Sequence, residues 1–173
     1  AFKDNAGITT FNELQYFTAL EKISGQAFYN CSSLTSVTLS SNVKVIDQNA
    51  FYATGITSIE LPASVTTIAD AAFNGNANLS SITVSEGNTV YDSRNGCNGV
   101  IETSTNTLVL GCKNTVIPDG VTIIGSSAYR GCTTLTSIIV PKSVTAIGAN
   151  AFRNCTNLTS AIIPSSVANI EAD

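Results

Sequence analysis

The chain has 173 residues, with 8 Lys or Arg, 12 Asp or Glu, no His and a net charge of -4. That length suits one ordinary domain or one short repeat array. Charged residues are only 12%, against roughly 25% in soluble domains; so few cations argue against a nucleic-acid partner, and the missing His removes Ser-His-Asp and Cys-His catalysis along with every histidine metal ligand.

An internal period appears early in the chain and continues to its end. Ala-Phe recurs at Ala27-Phe28, Ala50-Phe51, Ala72-Phe73 and Ala151-Phe152, with Ala128-Tyr129 as a variant. The spacing is even except for one long step, between Phe73 and Tyr129. Upstream of each lies V-x-x-I: Val43/Ile46, Val65/Ile68, Val121/Ile124 and Val144/Ile147, with Leu20/Ile23 and Val167/Ile170 at the ends. Upstream again lies L-x-x-I-x-L, as in Leu34/Val37/Leu39, Ile56/Ile59/Leu61, Leu79/Ile82/Val84, Leu135/Ile138/Val140 and Leu158/Ala161/Ile163. Phe11, Leu14 and Tyr16 stand one full period before Leu34, Val37 and Leu39 and read as the first strand.

In L-x-x-I-x-L the last two apolar residues alternate at strand period and point inward together. One such turn cannot bury its own apolar face, whereas stacked turns share a continuous core beneath a parallel sheet. The Ala-Phe segment is long enough for a short helical or 3₁₀ turn. Pro62, Pro141 and Pro164 follow their strands, where a missing N–H ends the ladder. The long step holds a surplus from about Ser85 to Ile117. Its Asn95-Gly96 and Asn98-Gly99 are turn signals, and the runs from Gly99 and from Thr107 can pair around Thr103–Asn106 as a β-hairpin. Thr115 and Ile117, followed by Pro118, read as a seventh, degenerate strand. The expected organisation is one solenoid domain, 1–173: N-terminal cap and first repeat 1–30, repeats 31–84, hairpin insert 85–118, repeats 119–173.

The repeat LTSIIVPKSVTAIGANAFRNCTNLTS (Leu135–Ser160) is close to the consensus of the BspA-like leucine-rich repeat family of bacterial surface proteins. The insert YDSRNGCNGVIETSTNTLVLGCKNTVIP (Tyr91–Pro118) and the opening ITTFNELQYFTALEKI (Ile8–Ile23) look like segments of its gut-anaerobe members. The resemblance implies a leucine-rich repeat solenoid with one strand per repeat of about 23 residues. It also implies a secreted or surface-anchored protein, with adhesion to host or neighbouring-cell proteins. The family pattern supplies no catalytic residues.

The residues themselves suggest little chemistry. The acids are scattered, with no pair of the kind a glycosidase brings to one cleft, so no enzymatic role, metal or cofactor is expected. Cys31, Cys132 and Cys155 share one repeat position and read as small apolar rungs. Cys97 and Cys112 face each other if the hairpin pairs symmetrically; a disulfide is conceivable there, with two inward-facing thiols as the alternative. Asp92–Asn98 has a faint likeness to a calcium loop but lacks its acidic spacing, and a turn is the better reading.

The outward positions carry the sharper expectation. Between the inward apolars stand Gln15, Thr38, Glu60, Thr83, Val116, Ile139 and Ile162, and two residues before each of them stand Glu13, Ser36, Ser58, Ser81, Asn114, Ser137 and Ser160. The face is a low-charge Ser/Thr ladder that turns apolar toward the C-terminus. An exposed apolar strip often marks a contact site, so Thr38, Glu60, Thr83, Val116, Ile139, Ile162, Ser137 and Ser160 form the candidate protein-binding face. Simple strand preference or cover by the hairpin are the other readings of the apolar residues, and a structural spacer is the other reading of the whole. No apolar run approaches the roughly 20 residues that span a bilayer. The chain starts at Ala1 without Met, as an excised or processed segment does, and the turn begun at Val167-x-x-Ile170 is unfinished at Asp173. The parent protein is expected to continue, or this end to pack on another molecule.

Overall fold

A computed structural model describes residues 2–172 of the chain, and Ala1 and Asp173 lie outside it. Its path is a solenoid of short strands that alternate between a front and a back face. The first turn carries β1 (Thr10–Phe11) in front and β2 (Lys22–Ile23) behind. The next turns carry β3 (Ser36–Val37) and β4 (Val45–Ile46), then β5 (Ser58–Leu61) and β6 (Thr67–Ile68), then β7 (Ser81–Val84) in front. The insert supplies β8 (Tyr91–Asp92), β9 (Val100–Glu102) and β10 (Thr107–Leu110). β11 (Ile123–Ile124) then lies behind, followed by β12 (Ser137–Ile139) in front, β13 (Ala146–Ile147) behind, β14 (Ser160–Ile162) in front and β15 (Asn169–Ile170) behind.

Parallel pairing stacks the turns. In front, β1 pairs with β3, β5 with β7 and β12 with β14. The V-x-x-I positions form a second, parallel ladder behind, β2-β4-β6 and β10-β11-β13-β15, to which the repeat pattern alone assigns no strands. The prolines act through their carbonyls as well as their missing N–H groups. Pro62, Pro118, Pro141 and Pro164 each accept the N–H of the Val three residues on, and that turn swings the chain from front to back.

The Ala-Phe loops are hydrogen-bonded turns rather than helices. Their bonds span three residues, as from Ala50 N–H to the Asp47 carbonyl, but left-handed residues such as Asn49 (φ 58) interrupt any helical run. Within each half of the solenoid, successive loops stack their aromatic rings. Phe28, Phe51 and Phe73 stack at 5.1 and 5.3 Å, Phe2 starts the column at 5.4 Å, and Tyr129 and Phe152 form a second stack at 5.2 Å. Columns of hydroxyls tie the outside of the turns together. Thr35 donates to the Thr9 carbonyl, Thr57 to Thr35, and Ser80 to Thr57, each reaching back one turn.

Two expectations need correction. Asn12–Tyr16 is a 3₁₀ helix, not a strand, and Phe11, which the repeat phase sets against Leu34, pairs with Val37 instead. Phe11 takes the inward position itself, packing edge-on against Phe2 at 5.0 Å, which leaves Leu14 buried and Tyr16 exposed. The second correction is at Thr115–Ile117, which makes no ladder, although Thr115 and Ile117 are buried and Val116 is exposed as a strand would leave them. The expected hairpin is present as β9 and β10, with Thr107 opposite Glu102, and β8 pairs antiparallel with β9 to extend it to a three-stranded meander.

Phe51 is fully buried between two stacked rings. Phe51→Ala is expected to cost about 3–5 kcal/mol in a denaturant titration. Phe152, half-buried on the last rung, is expected to cost clearly less.

Candidate functional site

The front face presents the residues singled out from the pattern, in two unlike halves. Thr38, Glu60 and Thr83 are exposed in the first half, with Ser58 opposite Ser81 and Glu60 opposite Thr83 in the β5–β7 register. They line a shallow groove of about 500 Å³ with Ser36 and Ser85. Its hydroxyls are partly engaged: Ser85 donates to Glu60 Oε1 at 2.8 Å, and Ser36 and Thr38 donate to Asn12 Oδ1 at 2.9 and 3.1 Å.

The second half is apolar. Ile139 and Ile162 are 67% and 59% exposed and are direct partners across β12 and β14, as are Ser137 and Ser160. Neighbouring strands lie about 4.8 Å apart, so these two side chains form one continuous strip. Ile163 and Ile170 are also exposed, but they lie on the last turn, where no further turn covers them among the described residues. Ile139 and Ile162 point outward whatever stacks above. Val116 is 74% exposed but stands outside the strand ladder, so the column expected to hold three rungs has two in register.

The insert causes that break. Between β7 and Val116 lies Asn98, whose amide stands in for a strand's main chain: Oδ1 accepts the Ile82 N–H and Nδ2 donates to the Ser80 carbonyl, both at 2.8 Å. The Val116 N–H donates to the Cys97 carbonyl at 2.9 Å. The left-handed backbone of Asn98 (φ 59) allows this approach, and Asn-Gly was its only signal in sequence. Tyr16, 72% exposed beside the polar half, was also missed, because the 3₁₀ helix that carries it breaks the repeat register.

The remaining candidates resolve on geometry. A bulge at Val109 shifts the hairpin, so Leu108 pairs with Ile101 but Leu110 pairs with Val100. The symmetric pairing that would bring Cys97 opposite Cys112 is thereby lost. Both are free, buried thiols; Cys97 Sγ lies 3.5 Å from the Gly99 carbonyl and Cys112 Sγ lies 3.5 Å from that of Asn98. Asp92 is engaged as an ion-pair partner: its carboxylate takes Arg94 Nε at 2.9 Å and Nη2 at 2.7 Å, and Arg94 Nη1 donates to Asn106 at the hairpin tip. Burial raises the Asp92 carboxyl pKa, but the Arg94 hydrogen bonds outweigh it and hold the group below its ordinary value. Cys31, Cys132 and Cys155 occupy their shared position as apolar rungs, and Cys155 Sγ donates to the Tyr129 carbonyl.

Six copies of the BspA type Leucine rich repeat region match the chain over residues 1–107 and 101–173. No functionally curated protein matches it. Among solved structures it is similar to a leucine rich cell surface protein from Faecalibacterium prausnitzii A2-165, at 33% identity and a TM-score of 0.72 over 86% of this chain. It is also similar to the pneumococcal vaccine antigen PcpA, at 22% identity and a TM-score of 0.74 over 87% of this chain. A leucine-rich repeat protein from Eubacterium ventriosum ATCC 27560 aligns at 22% identity and a TM-score of 0.57 over 98% of this chain. The chain spans 40%, 38% and 59% of the lengths of those three.

Burial pushes the thiols of Cys31, Cys97 and Cys132 above the ordinary value of 9.0, and that of Cys155 up to about 11. A folded-state pKa above the unfolded one adds stability that is complete below the unfolded value and is lost as pH rises through the folded value. The denaturation midpoint is therefore expected to fall between pH 9 and about 11. A Cys155→Ala variant should lose part of that slope.

Proposed function

Because the chain belongs to the BspA type leucine rich repeat family, we propose that it is a protein-binding module displayed at a bacterial cell surface, using the front face of its solenoid to hold host or neighbouring-cell proteins. The observation that carries this reading is the Ile139–Ile162 strip, two large apolar side chains in register on an otherwise hydroxyl-rich face. Strand preference explains a single outward Ile; two side by side create apolar area that stays in water until a partner covers it. The polar groove beside it, with Thr38, Glu60 and Thr83, supplies hydrogen-bonding groups for the rim of such a contact.

Surface display is supported by the Faecalibacterium relative, described as a cell surface protein. Nothing in the site favours catalysis: among the described residues no cluster of three Cys, Asp or Glu side chains could hold a metal ion, and the front groove has one carboxylate, already engaged by Ser85. No helix among them is long and apolar enough to cross a membrane.

The second reading is a spacer that holds some other domain away from the cell, favoured by the regular stacking and the low charge. The two readings separate in a binding assay against a panel of purified host extracellular and cell-surface proteins. A binding module is expected to retain at least one of them, and Ile139→Asp or Ile162→Asp to weaken that binding by about tenfold or more, with thermal stability nearly unchanged. If no panel member binds, or binding survives both substitutions, the front face is not the contact and the spacer reading takes its place.

A further inference from the structure

Outward hydroxyls around the solenoid reach back to the turn before them. Thr35, Thr57, Thr66, Ser80, Thr145 and Thr159 each donate to a carbonyl one turn back. The front groove holds a set that does not. Ser41, Ser58, Ser81 and Thr83 line it, are exposed, and make no hydrogen bond to the protein among the described residues. Ser58, Ser81 and Thr83 stand on β5 and β7, whose main chains bond each other in the ladder. Beside them, Glu60 accepts the Ser85 hydroxyl through Oε1 and keeps Oε2 open to the groove.

The lining narrows what this cavity of about 500 Å³ can hold. No Lys or Arg lines it, and its one charge is the Glu60 carboxylate, so phosphate, sulfate and uronate groups are repelled. Its floor is the face of a sheet rather than an edge, so a peptide main chain finds no ladder to join. Val37, Leu39 and Ile59 turn inward and are buried, so an apolar side chain finds no pocket. What fits is a neutral ligand with donors and acceptors along its whole length. The lining positions repeat from β3 to β5 to β7, so the groove runs along the solenoid axis in steps of about 4.8 Å. At its first rung, Asn12 Oδ1 accepts from Ser36 and Thr38 and ties the 3₁₀ helix in place, and the same helix exposes the Tyr16 ring.

We propose that this groove binds a neutral oligosaccharide, an extended chain of sugar rings laid along the axis. Ser58, Ser81 and Thr83 both donate to its hydroxyls and accept from them, and Glu60 Oε2 accepts one in a charge-assisted hydrogen bond. A β-1,4-linked chain suits the rungs best, because it is extended and its rings follow one another at close to the rung spacing. The Tyr16 ring offers a flat apolar face to the C–H side of a sugar. The groove belongs to the polar half of the front face, and the proposal does not rest on the protein-binding reading of the Ile139–Ile162 strip.

The test is an NMR titration of the isotope-labelled chain with cellotetraose, and separately with tetragalacturonate and with tetralysine. Cellotetraose is expected to shift the Ser58, Ser81 and Thr83 amides saturably and to leave the Phe51 and Tyr129 amides in place. Glu60→Gln should weaken that binding by about fivefold, because one hydrogen bond loses its charge. Ser81→Tyr should abolish it by filling the groove, with the Phe51 and Tyr129 amides reporting that the fold is kept. Ile139→Asp should leave it unchanged, which separates failure of this proposal from failure of the strip reading. No saturable shift, a shift that survives Ser81→Tyr, or tighter binding of either charged tetramer would each overturn the proposal.

Discussion

Every turn of this solenoid depends on the same requirement: a main-chain N–H that leaves one turn must find a carbonyl on a neighbouring turn. No turn buries enough apolar surface alone, and among the described residues no strand exceeds four residues, so register between turns is the condition for having a core at all. The near-constant period keeps Phe on Phe, Val on Val and hydroxyl on carbonyl. Low charge follows from the same constraint. Like charges stacked at strand spacing repel, whereas Thr and Ser can stack indefinitely because each hydroxyl donates to the turn before it.

Where that requirement is interrupted, side chains substitute for backbone. Asn98 offers an amide to β7 in the place of a strand, the Tyr91 hydroxyl meets the Ile68 N–H at the end of β6, and Asn76 accepts from both the main-chain N–H and the side chain of Thr54 through its Oδ1. These three mark the approach to the insert. The candidate site lies next to this irregularity, across which the front face changes from polar to apolar.

Repetition made most of the fold legible. Inward positions such as Val37, Ile59, Ile82 and Ile138 are all buried, because a strand's alternation and a turn's phase both constrain them. The outward exposure of Thr38, Glu60, Thr83, Ile139 and Ile162 came from the same alternation. What was not legible depended on a single residue out of phase. The bulge at Val109 has no signature in a run of β-formers, yet it shifts the pairing of β10 on β9 by one residue. The shift at Phe11 arises because Phe2, outside the repeat pattern, offers a ring to pack against. The back ladder was present in V-x-x-I, but with two-residue strands the spacing reads as a turn until its neighbours are placed.

The buried side chains form two separate clusters, one running from Leu14 to Cys112 and the other from Cys97 to Ala151, which overlap in sequence only within the insert. The aromatic column is divided at the same place, between Phe73 and Tyr129. In mechanical terms the molecule is two springs in series with a compliant joint. Load applied along its axis is expected to concentrate where neither the buried core nor the aromatic column is continuous, so the halves would part at the insert before either core was breached, and the meander would unreel as slack between two folded blocks.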